Sequence, residues 1–498
     1  MYRDHSHPHL RTKMRISLPI CGLIAIGLPS ILAFPQSPFA SQQPLDERSG
    51  HPAFPHYEMR LNEPILCDSV QQYSGYIDVG KEKHLFFWFF ESRSSPADDP
   101  LVLWLNGGPG GSSMLGLLFE LGPCNIASEN ETTRNPHSWN THANVIFLDQ
   151  PVNTGYSYAG PGAEPVHSTQ TAARDVYTFL QLFMHNFPQY ARLPFHIAAE
   201  SYGGIFAPNI ASVIHAENKD AASSGLLPIN LASILLGNAL TDPLVQWPST
   251  PEFACDGPFA VYDDPNGLEC TALRVRARIC DDMLRACYLA NTEYVCGPAG
   301  LYCVWGMFGP LELIGVNTND VRMKCDKTKQ ASCWPEEAWI QTFMNSASVR
   351  DAIGADPRRE FIDMNTTLQF DFMSRGDGAH PTHELLPALV NDGVRLLVYA
   401  GNTDMVCNYF GKERWITQLE TEFHAEFSAA PHRPWYTAKS GTLSGSTRSA
   451  GVKGGNVTFV LVHDAGHLVP HDQPEAAFDM FNRWIHNIPI TTNRSFAV

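Results

Sequence analysis

Basic residues are scarce in this 498-residue chain: 34 lysines and arginines stand against 51 aspartates and glutamates, a formal net charge of −17 at pH 7. Nucleic acids and anionic membranes are themselves negative, so this balance argues against both as partners. Beyond the first few dozen residues no apolar run is long enough to cross a bilayer, which argues against a membrane anchor. No Cys-x-x-Cys pair occurs among the 12 cysteines, which removes the usual zinc-site spacing and leaves disulfides as their reading. The Gly-rich stretch at 106–113 is not followed by lysine in the Gly-Lys-Ser/Thr manner, so it is not a phosphate loop.

What is present starts with a leader pattern. Arg3, Arg11, Lys13 and Arg15 precede an apolar run from Ile16 to Phe34, interrupted by Pro19 and Pro29 and ending near the small residue Ala33. A basic flank, a short apolar segment and a small residue predict a signal peptide over 1–33. One cysteine, Cys21, falls inside it. Asn130, Asn365, Asn456 and Asn493 each begin an Asn-x-Ser/Thr sequon, and are the candidate N-glycosylation sites. With clustered cysteines these features predict passage through an oxidising compartment.

Nearly continuous apolar runs alternate with helical patterns, which predicts a mostly parallel sheet covered on both faces. Strands are expected at Leu85–Phe90, Leu101–Leu105, Val145–Asp149, Phe195–Glu200, Leu231–Leu236 and Val394–Tyr399. Helices are expected at 168–186, Ile205–Ala216 and Pro474–Ile485, and β-rich segments between Trp435 and Val462. From 245 to 345 the texture changes: eight cysteines gather and hydrophobic strands vanish. This stretch reads as an inserted cap, stapled because its own core is small. The expected organisation is a leader over 1–33, a core segment over 34–244, a cap over 245–345 and a second core segment over 346–498.

The segment from His196 to Pro208 organises the chain. It reads as a strand, a tight corner carrying Ser201, and a helix, with Gly203 and Gly204 after the serine and Ala199 two residues before it. That is the layout of a nucleophile elbow. A serine nucleophile needs a base, and the base needs an orienting group. The candidates are His467 and Asp404, both just beyond predicted strands. The order Ser, Asp, His is that of the α/β-hydrolase plan. The loop Asn106-Gly107-Gly108-Pro109-Gly110-Gly111 can turn backbone N–H groups toward an anion. His463, His467 and His471 are four apart, but Gly466 and Pro470 break the stretch, so a helical metal face is not expected.

Four segments carry a resemblance: Trp104–Gly110, Leu148–Val152, Glu200–Gly204 and Gly466–Pro470. In this order they resemble the signature segments of the serine carboxypeptidases, most of all the secreted or vacuolar fungal members. The match runs from about Tyr73 to Trp484. It implies an α/β-hydrolase fold with a disulfide-rich helical cap. It also implies release of single C-terminal residues from peptides and proteins, at acidic pH, through an acyl-enzyme and without cofactor or metal. By position, Ser201 is then the nucleophile, His467 the general base and acid, and Asp404 the orienting carboxylate. The N–H groups of Gly108 and Tyr202 form the oxyanion hole. Asn106, Gly107, Glu120 and Glu200 bind the substrate's terminal carboxylate. Two adjacent carboxyls cannot both ionise cheaply, so Glu120 and Glu200 share a proton in acid and repel the substrate terminus once ionised. A serine carboxypeptidase-like acyltransferase or an esterase is the alternative, although neither requires the full carboxylate-binding set.

The resemblance pairs Cys255 with Cys270, Cys280 with Cys303, Cys287 with Cys296 and Cys325 with Cys333. Cys67 and Cys124 are the additional pair. The nested second and third bridges fit a hairpin of two helices in the cap. Cys407 remains as a free thiol three residues after Asp404, expected beside the substrate and sensitive to bulky thiol reagents. In one respect the chain departs from the family: the Gly-rich loop often has cysteine where Gly111 stands, bridged to a distant cysteine near Met364, and both are absent here.

Overall fold

The computed structural model describes Phe54 and residues 57–325 and 332–491; the leader and Asn493 lie outside the described residues. Its strands are β1 (Met59–Asn62), β2 (Gln72–Gly80), β3 (Lys83–Phe90), β4 (Leu101–Leu105), β5 (Cys124–Ser128), β6 (Glu131–Arg134), β7 (Asn144–Leu148) and β8 (Tyr158–Ala159). They continue as β9 (Phe195–Glu200), β10 (Leu231–Gly237), β11 (Arg395–Gly401), β12 (Arg433–Tyr436), β13 (Leu443–Ala450) and β14 (Val457–Val462). All but the β5–β6 hairpin join one sheet, in the order β1-β2-β3-β7-β4-β9-β10-β11-β14-β13-β12, with β8 on β3. The six strands from β7 to β14 in that order are parallel, and the flanking strands are antiparallel.

The apolar runs are explained by a core on each face. In β3, Phe87 and Phe89 enter one core, while Phe86, Trp88 and Phe90 enter the other. In β4, Leu101, Leu103 and Leu105 face the first core, and Val102 and Trp104 the second. Side chains alternate along a strand, so a strand covered on both faces must be apolar at every position. On the first face lie helix α1 (Thr169–Asn186), capped by the Ser168 side chain, and helix α2 (Gly203–Asn218). Phe179 and Phe183 of α1 meet the Phe87 ring edge-on.

Between β10 and β11, which are neighbours in the sheet, the described residues form no strand of that sheet. Here lie α3 (Leu268–Ala290), α4 (Glu293–Leu313), α5 (Pro335–Asn345) and α6 (Thr366–Ser374). The strand-free stretch thus runs past 345, up to β11. Afterwards come α7 (Tyr409–Gln418) and α8 (Pro474–Ile485). Disulfides Cys280–Cys303 and Cys287–Cys296 fasten α3 to α4, and Cys255–Cys270 holds the start of α3. Cys325–Cys333 and Cys67–Cys124 are the other two. Closing a loop of the Cys280–Cys303 size stabilises by about 3 kcal/mol in the chain-entropy model. No helix among the described residues is long and apolar enough to cross a membrane. Of the sequon asparagines, Asn130 is exposed, whereas Asn365 and Asn456 are half-buried. The Asn365 side chain caps α6, accepting from Leu368 N and donating to Asn153 O.

Peptide mapping without reduction is expected to return these five linked pairs, with Cys407 in an unlinked peptide. A linked Cys407 peptide would contradict the pairing.

Candidate active site

The parallel strands deliver their carboxyl ends to one edge of the sheet. β4 leads into the Gly-rich loop, β9 into Ser201, β10 into Asn238, β11 into Asp404 and β14 into His467. Crevices at such strand ends are where ligands bind in open α/β sheets. Ser201 has φ +60°, the left-handed region that side-chain-bearing residues rarely occupy. The corner is held by hydrogen bonds. Ser201 N donates to Gly237 O (3.2 Å), and Ser201 O accepts from Gly204 N (3.0 Å) and Leu240 N (2.9 Å). The glycines after the serine answer to space. A Cβ on Gly203 would lie 2.7 Å from the Ala199 Cβ, and one on Gly204 would run into Leu240 O. Ala199 therefore fits only because Gly203 has no side chain.

The Gly-rich loop packs on this corner. A Cβ at Gly107 would lie 2.5 Å from Tyr202 N and 2.6 Å from the Ser201 Cβ, so the loop approaches the serine backbone to backbone. Gly108 follows with φ +111°. Asp149, buried at the end of β7, fixes the loop's far side. It accepts from Ser112 Oγ (2.6 Å), Ser113 N (3.1 Å) and Tyr156 N (2.9 Å). Burial pushes its carboxyl up to about 7, against the pull of these three donors. Where the bridging cysteine is missing, the backbone pairs instead. Gly111 bridges Met364 in antiparallel fashion, Ser112 N donates to Asp363 O (2.9 Å) and Asn365 N to Gly110 O (2.9 Å). The Met364 side chain comes within 3.2 Å of where a Gly111 Cβ would stand.

His467 Nδ1 lies 2.9 Å from Asp404 Oδ2. With a carboxylate as partner, Nδ1 carries the proton and Nε2 is the basic nitrogen. Asp404 is fully buried. Its Oδ2 also accepts from Asn238 Nδ2 (2.7 Å), and its Oδ1 from Cys407 N (3.2 Å). Asn238 Nδ2 donates as well to Gly466 O (2.8 Å), which ties the histidine loop to the aspartate. His467 N donates to Asn319 O (2.7 Å), from the strand-free segment. Lys412, on α7, is wholly buried with Nζ 3.8 Å from Asp404 Oδ2.

Glu200 ends β9, one residue before the serine, and Glu120 ends a short turn of π-helix; both are buried. The two carboxyls are close enough to hydrogen-bond each other. Oε2 of each is buried and has no hydrogen-bond partner among the described residues, the condition in which one carboxyl of a neighbouring pair holds on to its proton. Burial, and then the Glu120 charge, push the Glu200 carboxyl well above its ordinary value. Burial likewise raises Glu120. Asn106 is oriented toward this pair. Its Oδ1 is taken by Trp104 Nε1 (2.7 Å) and Gly116 N (3.0 Å), which turns Nδ2 to Glu120 Oε1 (3.2 Å).

Ser201, His467, Asn106 and Glu200 line one cavity of about 610 Å³, with Tyr202, Gly107 and Gly108 beside them. Leu301, Trp305 and Phe308 of α4 and Phe370 and Met373 of α6 form apolar walls. Cys407 also borders it, its thiol pushed up to about 12 by burial. Sequence reasoning did not find Asn238, Lys412 or Asn319, and quoted Asp149 only within a motif. Asn238 and Asn319 act through contacts between distant segments, and Lys412 through Asp404, eight residues before it. Among the described residues the one grouping with metal-ligand spacing is Cys287, Cys296 and His380, whose two sulfurs are joined in a disulfide.

A family model described as serine carboxypeptidase matches residues 63–487. Carboxypeptidase Y of Schizosaccharomyces pombe is 39% identical over 497 residues, covering 97% of this chain and 47% of that protein. The chain thus spans about half the length of this relative. Carboxypeptidase Y homolog A of Ajellomyces dermatitidis is 42% identical over 439 residues, covering 86% of this chain and 77% of that protein. The crystal structure of a prohormone-processing carboxypeptidase from Saccharomyces cerevisiae superimposes with a TM-score of 0.71 at 24% identity, covering 83% of this chain and 91% of that one; the likeness is one of fold.

The raised carboxyls make stability depend on pH. A native Glu200 keeps a proton that the unfolded chain releases near its ordinary value of 4.5. The stabilisation is therefore complete below that pH and is lost as pH rises toward neutrality. Asp149 acts in the same direction. Thermal melts from pH 4.5 to 7.5 are expected to show a falling Tm, and Glu200→Gln, which cannot ionise, to flatten the fall. An unchanged slope in the variant would refute this assignment.

Proposed function

Because the chain belongs to the serine carboxypeptidase family, we propose that it is a serine-type carboxypeptidase that releases single residues from peptide and protein C-termini at acidic pH. Ser201 Oγ attacks the carbonyl carbon of the terminal peptide bond while His467 Nε2 takes its proton. The N–H groups of Gly108 and Tyr202 stabilise the oxyanion. The C–N bond breaks as His467 returns the proton to the leaving amine, giving an acyl-enzyme on Ser201. Water then repeats the sequence, its proton passing through His467 to Ser201 Oγ. Asp404 holds the imidazole in the tautomer this requires.

The observation that carries the reading is the buried Glu120–Glu200 pair, of which Glu200 lines the serine's cavity. With one proton between them these carboxyls can donate to an incoming carboxylate, alongside Asn106 Nδ2 and Gly107 N–H. The proton must be present, which favours acidic pH, and the anchor admits only a chain end. An esterase or an acyltransferase working on uncharged acyl groups would leave the pair without a ligand.

Residues 245–345 act in this reading as a cap, between core segments 34–244 and 346–498. Support comes from α4, whose Leu301 and Phe308 wall the cavity. Export through the secretory pathway, to the vacuole or the outside, is supported by the five disulfides and the exposed sequon at Asn130.

Ser201→Ala is expected to lower kcat by a factor on the order of 10⁶ with the melting temperature unchanged. Wild-type turnover in that variant would refute the nucleophile. Glu120→Gln and Glu200→Gln are expected to weaken free-acid dipeptides about tenfold to a hundredfold at pH 4.5, the range for a hydrogen bond to a charged group. The same dipeptides with amidated C-termini should be little affected; equal losses on both substrates would assign the glutamates to packing.

A further inference from the structure

Lys412 is a cation in the wrong place for a structural residue. It lies on α7 between Glu413 and Arg414, and both neighbours turn outward to partners: Glu413 to His432 and Arg448, Arg414 to Glu252. Lys412 turns inward and is fully buried, as is Asp404, whose Oδ2 is 3.8 Å from Nζ. Its Nζ has no hydrogen-bond partner among the described residues. The titratable groups facing it are Asp404 and Cys407, from the loop after β11, and Glu200, from the end of β9. Cys407 stays a neutral thiol. His467 reaches the same Asp404 oxygen from the loop after β14. Asp404 is already supplied with donors by Asn238, Cys407 N and His467, so it does not need the lysine to be satisfied. Replacing a buried ion pair with apolar groups is often neutral or stabilising, so packing alone gives no reason for an ammonium here.

We propose that Lys412 is a positioning residue for the histidine: its buried ammonium balances the Asp404 charge, so that a second cation on His467 is disfavoured and the histidine remains a base in acid. The inference rests on the proposed roles of Ser201, Asp404 and His467. Burial lowers the lysine from its ordinary value, while Asp404 hold it up. Even the most depressed buried lysines titrate at about pH 5–6, so the group is charged in the acidic range. The consequence is a reconciliation of two opposed demands. The Glu120–Glu200 pair must hold a proton, which needs low pH. The base must lack one, which is easier at high pH. A fixed positive charge beside Asp404 moves the second demand downward without touching the first, and so widens the interval in which both are met.

The test is the pH dependence of kcat/KM on a blocked ester substrate with no free carboxylate, which removes the glutamate pair from the titration. Active sites are counted with a serine-directed organophosphorus reagent. In Lys412→Met and in Lys412→Gln the acid limb is expected to move up by about one pH unit, as loss of one nearby charge at an intermediate effective dielectric implies. The plateau at higher pH should stay within a few-fold of wild type. A uniform fall in activity with the limb unmoved would overturn the proposal, as would failure of both variants to fold, since either assigns the lysine to packing. If the wild-type protein itself shows no turnover of the ester and no reaction with the organophosphorus reagent, the proposed catalytic serine fails instead, and the two failures are told apart.

Discussion

The positive φ of Ser201 is the constraint to which the site is referred. A serine in the left-handed region is strained, so the surrounding structure must hold it there. It is held by the β10 end through Gly237 O and Leu240 N, and by the start of α2 through Gly204 N. Space does the rest. Gly107, Gly203 and Gly204 are all places where a side chain would strike the corner or its supports. Because Gly107 packs directly on Tyr202 N and the Ser201 Cβ, the geometry of the Gly-rich loop and of the corner are one geometry. Asp149 then fixes the loop from behind, and the 363–365 segment pairs with it from the side.

Around this corner the electrostatics are arranged by burial. Glu120, Glu200 and Asp404 are all within a few per cent of complete burial, and each is paired differently. Glu120 and Glu200 have chiefly each other, so they must share a proton. Asp404 has three donors and a lysine beside it. Carboxyls buried to the same degree thus meet different demands because their neighbours differ.

Much of this was legible in the sequence, for identifiable reasons. Strand β9 and helix α8 match the expected ranges to the residue, since each is an uninterrupted local signal whose start is marked by a proline, Pro194 or Pro474. Strand β3 announced itself because a strand covered on both faces has no polar position. The serine corner could be read from Gly203 and Gly204, which are local consequences of local crowding. Glu120 could not: taken alone it resembles any helical glutamate, and only the resemblance assigned it a role. Asn238 and Asn319 were invisible because their partners lie 166 and 148 residues away, and Lys412 because a lysine on a helix surface pattern gives no sign that it turns inward. The sheet was expected to resume at Val394, and β11 begins at Arg395, because the returning strand is again an unbroken apolar run.

The disulfides fall in a telling part of the chain. Four of them join cysteines 15, 23, 9 and 8 residues apart, all before β11 begins at Arg395. The fifth, with a separation of 57, is earlier still. Synthesis runs from the N-terminus, so every bridge can close while the last hundred residues have yet to appear. Those residues carry Asp404, Lys412 and His467, and the strands β11 and β14 that bring them beside Ser201. Closure of the bridges is thereby separable in time from assembly of the proposed triad, whose aspartate and histidine arrive only with the final strands.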